Sequence, residues 1–147
     1  MVDKEERSSR IGVLVSLLLF SATLACCATA PESKAPVTRE ETCGVRISRI
    51  QVSAGGGFVD LRFRVLDPER ASALLHPSSR ATLIHEPTGK VLSVASSKLG
   101  NLRQSTSNPE RGREYFILFR NFAGLVVPGD RVTFVAGACS IEGLEVE

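Results

Sequence analysis

Four cysteines and two histidines are the side chains of this chain best suited to chemistry, and their spacing separates them into different tasks. Cys43 and Cys139 stand far apart, near the two ends of the strand-rich region. A catalytic dithiol would sit in a close C-x-x-C, and a metal site would need more ligands beside each thiol. A structural disulfide is therefore expected between Cys43 and Cys139, with two separate thiols or a redox-active or metal-binding pair as the alternatives. Such a bond would close a loop of about 95 residues, for which chain-entropy models give roughly 4 to 5 kcal/mol. His76 and His85 match no H-E-x-x-H, H-x-H or zinc-finger spacing, and Met1 is the sole methionine, so a blue-copper or Met-rich copper site is excluded. His85 precedes Glu86, but neighbours on a strand point to opposite faces and cannot form an acid–base pair. Both histidines read as surface or loop residues.

No G-x-S-x-G, phosphate-loop or dinucleotide fingerprint occurs; Gly55, Gly56 and Gly57 lack the Lys-Ser/Thr that follows a phosphate loop, and they lie between strands. No catalytic residue, metal ligand or cofactor is assigned, and a non-enzymatic role is expected. What remains is charge. Arg62 and Arg64 share one face of a strand and form a candidate anion-binding face, with Arg49 across the hairpin and Arg103, Arg111, Arg113 and Arg120 later in the chain. Residues 43–147 carry 13 Lys and Arg against 10 Asp and Glu, an excess suited to anionic lipid, lipopolysaccharide or an acidic partner, or to a solvated face with Asp60 and Glu114 interspersed. A whole-chain charge of +2 with 23% charged residues argues against a nucleic-acid partner.

Cys26 and Cys27 belong to a different setting. Residues 11–30 hold no charged side chain, enough length at about 1.5 Å per residue to cross a hydrocarbon core of roughly 30 Å. The densest apolar part, 11–20, is shorter and is followed by small residues, the order of a signal peptide. Lys4, Arg7 and Arg10 are balanced upstream by Asp3, Glu5 and Glu6, and Lys34, Arg39 and Arg46 follow, so the count of cations does not set an orientation. A retained membrane helix, with the cysteines as bystanders or palmitoyl sites, and cleavage at Ala28-Thr29-Ala30 both remain open.

The run Leu24, Ala25, Cys26, Cys27 resembles the lipobox that ends the signal peptides of bacterial lipoproteins. Read onto Cys27 it has Leu at −3, Ala at −2 and a small residue at −1. Read onto Cys26 it has a good −1 residue, Ala25, and a poor −3, Thr23. The resemblance implies diacylation of Cys27, with Cys26 as the alternative; cleavage before Cys27 also leaves one cysteine pair in the mature domain. Ala28 after the lipidated residue, in place of Asp, implies outer-membrane delivery in a Gram-negative host. The runs V-D-L-R-F-R-V-L-D-P-E, L-R-Q and Y-F-I-L-F-R-N are also similar to uncharacterised exported bacterial domains, which implies no activity. Expected partners are thus the membrane, through the N-terminal lipid or helix, and an envelope protein, with the domain outside the cytoplasm on the periplasmic side.

The elements that must position these residues follow from period. Residues 1–27 read as signal peptide or anchor. Residues 28–42, with two prolines and several charges, bury too little to offset ordering and read as a flexible tether reaching about 40 Å. Residues 43–147 form the domain. Residues 58–66 place Val59, Leu61, Phe63 and Val65 on one face and Asp60, Arg62 and Arg64 on the other, a half-buried antiparallel strand. The preceding strand alternates through Val45 and Ile47, slips phase at Ser48-Arg49, and resumes at Ile50 and Val52, as a bulge would require. Asp67 can cap a helical turn opened by Pro68 and stopped at Pro77. Residues 81–86 and 90–95 flank the Pro87-Thr88-Gly89 turn, 102–104 form a short strand, and 113–119 form a near-continuous apolar strand expected to be buried on both faces or to meet a lid. The last two strands lead through Cys139 to the end. Seven or eight short strands with turns every 8 to 12 residues predict an all-β fold, an immunoglobulin-like antiparallel β-sandwich with one short helical turn, preceded by an N-terminal hydrophobic helix; a small barrel is the alternative.

Overall fold

The computed structural model describes residues 39–147. The hydrophobic helix expected over 11–30, the lipid acceptor Cys27 with its alternative Cys26, and most of the tether lie outside the described residues. The final residues of that tether are structured: α1, Arg39–Thr42, is a single helical turn packed on the first and last strands.

Strand β1, Val45–Ser53, and β2, Phe58–Val65, form a hairpin. The alternation in β2 holds at Val59, Leu61, Phe63 and Val65, all completely buried, and at exposed Arg62 and Arg64, but Asp60, expected on the solvated face, is only 5% exposed. The pairing steps from Ile47 opposite Phe63 to Arg49 opposite Arg62, so Ser48 is the extra residue of a bulge. The connecting turn is left-handed at Ala54, Gly55 and Gly56, whereas Gly57 is right-handed. Asp67 then caps α2, Pro68–Leu75, its Oδ1 accepting the Glu69 and Arg70 amides at 3.0 and 3.3 Å. The two turns of α2 bury Ala71, Leu74 and Leu75.

Strands β3, Ala81–His85, and β4, Lys90–Ser93, form the second hairpin. A two-stranded ribbon the sequence reading does not contain follows, β5, Ser96–Ser97, with β6, Gly100–Asn101. β7, Glu114–Arg120, buries Tyr115, Ile117 and Phe119, while Phe116 and Leu118 on its other face are half-buried rather than covered. β8, Arg131–Ala136, turns tightly into β9, Cys139–Glu145.

These strands form two antiparallel sheets, β1–β2–β7 and β4–β3–β8–β9. Side chains from both make one core, and Phe119 of one sheet meets Phe134 of the other edge to face, ring centres 6.2 Å apart. The exposed edges are largely occupied. Along β7, the Ala95 and Gln104 amides donate to Leu118 and Phe116, and the Leu118 amide donates to Leu102. The strand expected at 102–104 is thus a run of such bonds with a single bridge at Arg103. On the far edge of β1, the Val52 amide donates to Glu147 and the Glu147 amide to Ile50. The C-terminal residue therefore leaves one sheet and joins the other.

The Cys43–Cys139 disulfide fastens the same seam, with Cα atoms 5.4 Å apart. Cys43 stands in the turn before β1 and Cys139 opens β9. Gly44 beside it has φ +71°, and a Cβ there would lie 2.6 Å from the Arg70 Cβ and 2.7 Å from the Asp67 oxygen. Only glycine lets the chain pass this close to the start of α2; the Gly44 carbonyl accepts the Leu66 and Asp67 amides.

Candidate functional site

The outer face of the three-stranded sheet is built by the Ser48 bulge. Without an extra residue, Arg46 and Arg49, three positions apart, would point to opposite faces. With it, both are exposed on the outside, Arg46 directly opposite Arg64 and Arg49 directly opposite Arg62. Cross-strand neighbours stand with Cβ atoms about 5 Å apart, and like charges so placed repel. Four guanidinium groups therefore share one patch on two strands. Arg62 Nε donates to Asp60 Oδ2 at 3.1 Å, and Glu114 faces Arg64 from β7, whereas Arg46 and Arg49 make no ion pair among the described residues. Arg120 extends the same face on β7. Such a patch can take a phosphate or carboxylate through paired N–H donors.

Arg103 and Arg113 take other partners, and Arg111 is exposed in the turn before β7. Arg103 turns inward, donating from Nη1 to the Ser79 carbonyl at 2.7 Å and from Nη2 to the Leu74 carbonyl at 2.8 Å. It closes the C-terminal end of α2, where carbonyls lack helical partners. Burial pulls its guanidinium below the ordinary value, by desolvation. Arg113 pairs with Glu110 at 2.7 Å and lies over the Tyr115 ring. These two serve the fold.

His85 corrects the reading of both histidines as surface or loop residues. His76 is exposed, but His85 is only 4% exposed. Its Nδ1 is 2.8 Å from Thr88 Oγ1 and its Nε2 is 3.1 Å from Asp130 Oδ2. A buried imidazole needs both nitrogens satisfied, and the acid that does so is 45 residues away, not the adjacent Glu86. Asp130 Oδ2 also accepts the Val127 amide at 2.9 Å. That amide first, and the His85 ring next, hold the Asp130 carboxyl below the ordinary range against desolvation. The hydroxyl, ring and carboxylate occur together, but Thr88 belongs to the same tight turn as His85, so the trio fastens the β3–β4 turn to the loop before β8.

Glu86 has a comparable task. Its Oε1 accepts the Thr133 hydroxyl and the Gly143 amide, both at 2.8 Å, at the irregular pairing of β8 with β9. The Gly143 amide, then the Thr133 hydroxyl, lower its pKa. No group of three His, Cys, Asp or Glu side chains among the described residues is placed to hold a metal ion. No helix among them is long and apolar enough to cross a membrane.

Comparison with protein-family models, with curated proteins and with solved structures returned no match to this chain.

The sequence signal for the arginine patch was the phase slip at Ser48-Arg49, which carries Arg49 outward. Nothing local marks Asp130 as the partner of His85; the only hint is that a Pro-Gly-Asp turn places an acid just before a strand.

Proposed function

We propose that the chain is an exported, membrane-anchored, immunoglobulin-like β-sandwich that acts as a non-catalytic binding module of the cell envelope, its arginine face turned to an anionic surface. The observation that carries this reading is the pair of like-charge neighbours, Arg46 with Arg64 and Arg49 with Arg62. Placing four guanidinium groups so close costs stability, and an anionic partner recovers it. The strand order supports the immunoglobulin-like assignment: a three-stranded sheet of strands one, two and seven faces a four-stranded sheet whose middle strands are the third and eighth. The Cys43–Cys139 bond supports export, since disulfides persist in oxidising compartments. The lipobox-like run favours lipidation of Cys27, or else Cys26, and the periplasmic side of a membrane, possession of Ala28 pointing to the outer one. A role as a structural or assembly subunit of an envelope complex is the second reading, favoured by the exposure of Phe122 at 78%.

Two measurements test this. Mass spectrometry of the mature N-terminus should show a diacylated cysteine, and an intact Met1 would remove lipidation from the proposal. The full chain in phosphatidylcholine nanodiscs with and without phosphatidylglycerol should show slower hydrogen exchange on β1 and β2 only in the anionic discs. Changing the four arginines to glutamate should abolish the difference; equal exchange in both discs for the natural chain would refute the anionic surface.

A further inference from the structure

The sheet edges differ in how they are finished. The β7 edge is occupied by residues 95, 102 and 104, the β1 edge by Glu147, and α1 packs on β1 and β9 together. The outer edge of β4, from Lys90 to Ser93, makes no main-chain to main-chain hydrogen bond among the described residues, although the Lys90 amide donates to Thr88 Oγ1 at 3.4 Å; β4 pairs with β3 alone until Val94 bridges Phe119. A groove of about 550 Å³ runs beside this edge, between β4 and the loop after β7. Val91, Phe122 and Leu125 line it, with Lys90 and Arg120 as its only charged side chains. Val91 is 62% exposed and Phe122 78% exposed, two of the few large apolar side chains the described residues leave in solvent.

The loop that presents Phe122 is rigidly made. Asn121 is buried, its Nδ2 donating to the Val126 carbonyl at 2.8 Å and its Oδ1 accepting the Val126 amide at 2.9 Å, while its own amide donates to Gly57. Ala123 inside the loop has φ +55°, a left-handed conformation that costs a non-glycine residue about 1 kcal/mol or more. A buried amide clasp and a strained alanine hold a phenylalanine out in water, next to a strand edge with unused donors and acceptors.

We propose that this groove receives an extended polypeptide segment of a partner protein, which adds to β4 as a further strand. Main-chain hydrogen bonds to the edge supply affinity, and alternate side chains supply specificity. The apolar side chains of the segment rest on Val91, Phe122 and Leu125. Its other requirement comes from charge complementarity: Lys90 and Arg120 make no ion pair among the described residues, and no acid lines the groove, so the segment carries glutamate or aspartate beside its apolar residues. Arg120 is common to this groove and to the arginine face, but Arg46, Arg49, Arg62 and Arg64 do not line the groove and the proposal does not depend on them.

The test uses the full chain in detergent micelles and fluorescent eight-residue peptides alternating valine or phenylalanine with glutamate. Controls replace glutamate by lysine or methylate alternate backbone nitrogens. Saturable binding of the glutamate peptides is expected, with slowed hydrogen exchange at β4 amides, and loss of binding by both controls. Phe122→Ala should weaken binding about tenfold, as removal of a central aromatic anchor does. The double change Lys90→Glu with Arg120→Glu should move preference to the lysine peptides; all three positions are exposed, so the variants should fold as the natural chain does. The proposal is overturned if no glutamate peptide binds, if the N-methylated or lysine versions bind equally well, or if sedimentation shows a dimer of this chain abolished by Phe122→Ala, which would make the occupant a second copy. Displacement of the peptide by oleate at stoichiometric amounts, with oleate binding lost in Phe122→Ala, would likewise overturn it in favour of an acyl chain.

Discussion

Replacing Cys43 and Cys139 together by serine removes one covalent link and exchanges two sulfur atoms for hydroxyls, and its effect can be worked from the separation of 96 residues between them. The chain-entropy relation for a loop of that length gives about 4.7 kcal/mol at 25 °C, an upper expectation because denatured chains keep some contacts. The native seam has other fastenings, the Val52–Glu147 and Glu147–Ile50 bonds and helix α1, so the fold itself should persist without the bond. A loss of roughly 2.5 to 4.7 kcal/mol is expected, against a total stability of about 5 to 15 kcal/mol for a domain. With an unfolding entropy of about 2.1 cal/mol/K per residue over roughly 110 residues, the midpoint temperature should fall by about 11 to 20 °C. Thermal unfolding followed by circular dichroism, with and without phosphine reductant, measures this. Reduction should bring the natural chain down to the midpoint of the double variant, and should leave the variant unmoved. A difference below about 3 °C would refute the constraint, as would alkylation of Cys43 and Cys139, located by mass spectrometry, in the native unreduced chain.

Gly44→Ala should cost more than about 2 kcal/mol, because a left-handed φ is joined by a clash with the Asp67 carbonyl, whereas Gly55→Ala, equally left-handed but with open space around it, should cost nearer 1 kcal/mol; equal urea midpoints would refute the close approach. Phe134→Ala should destabilise by about 3 to 5 kcal/mol in urea unfolding, since its ring is fully buried between the sheets against Phe119. Arg103→Met should cost about 1 to 3 kcal/mol by leaving the Leu74 and Ser79 carbonyls without donors, with Arg103→Lys recovering part; no loss would show that water replaces the guanidinium. Glu86 and Asp130 bind protons more weakly in the folded chain than in the unfolded one, so the stability they contribute is present above an ordinary carboxylate pKa of about 4 and is lost as pH falls through their lowered values. Glu86→Gln with Asp130→Asn should therefore flatten the fall in urea midpoint between pH 5 and pH 2, and an unchanged slope would remove the role given to the two carboxylates.

Much of the strand framework could be read directly, because its causes are local. The alternation of Val59, Leu61, Phe63 and Val65 needs only the two-residue repeat of a strand, and the cap at Asp67 with Pro68 after it needs only the unsatisfied amides of a helix start. The phase slip at Ser48 announced the bulge, and with it the outward turn of Arg49. The apolar run of β7 implies more burial than the fold provides: continuous hydrophobicity shows that both faces can be covered, not that anything covers them, and Phe116 and Leu118 are only half-buried. The burial of Arg103 and His85 is not legible locally, for the opposite reason. Each is a polar residue whose burial depends on partners supplied by distant parts of the chain, the end of α2 for Arg103 and Asp130 for His85.

By itself, then, the sequence determined where strands begin, turn and slip, which side chains share a face, and that Cys43 and Cys139 could be partners, since all of these follow from backbone sterics and the repeat of two. How the hairpins join β7, β8 and β9 into two sheets, that Glu147 crosses to β1, and that β4 keeps an open edge beside Phe122 were decided only in the tertiary structure. Those outcomes depend on hydrogen bonds and packing between segments tens of residues apart, whose energies exist only once both segments are in place.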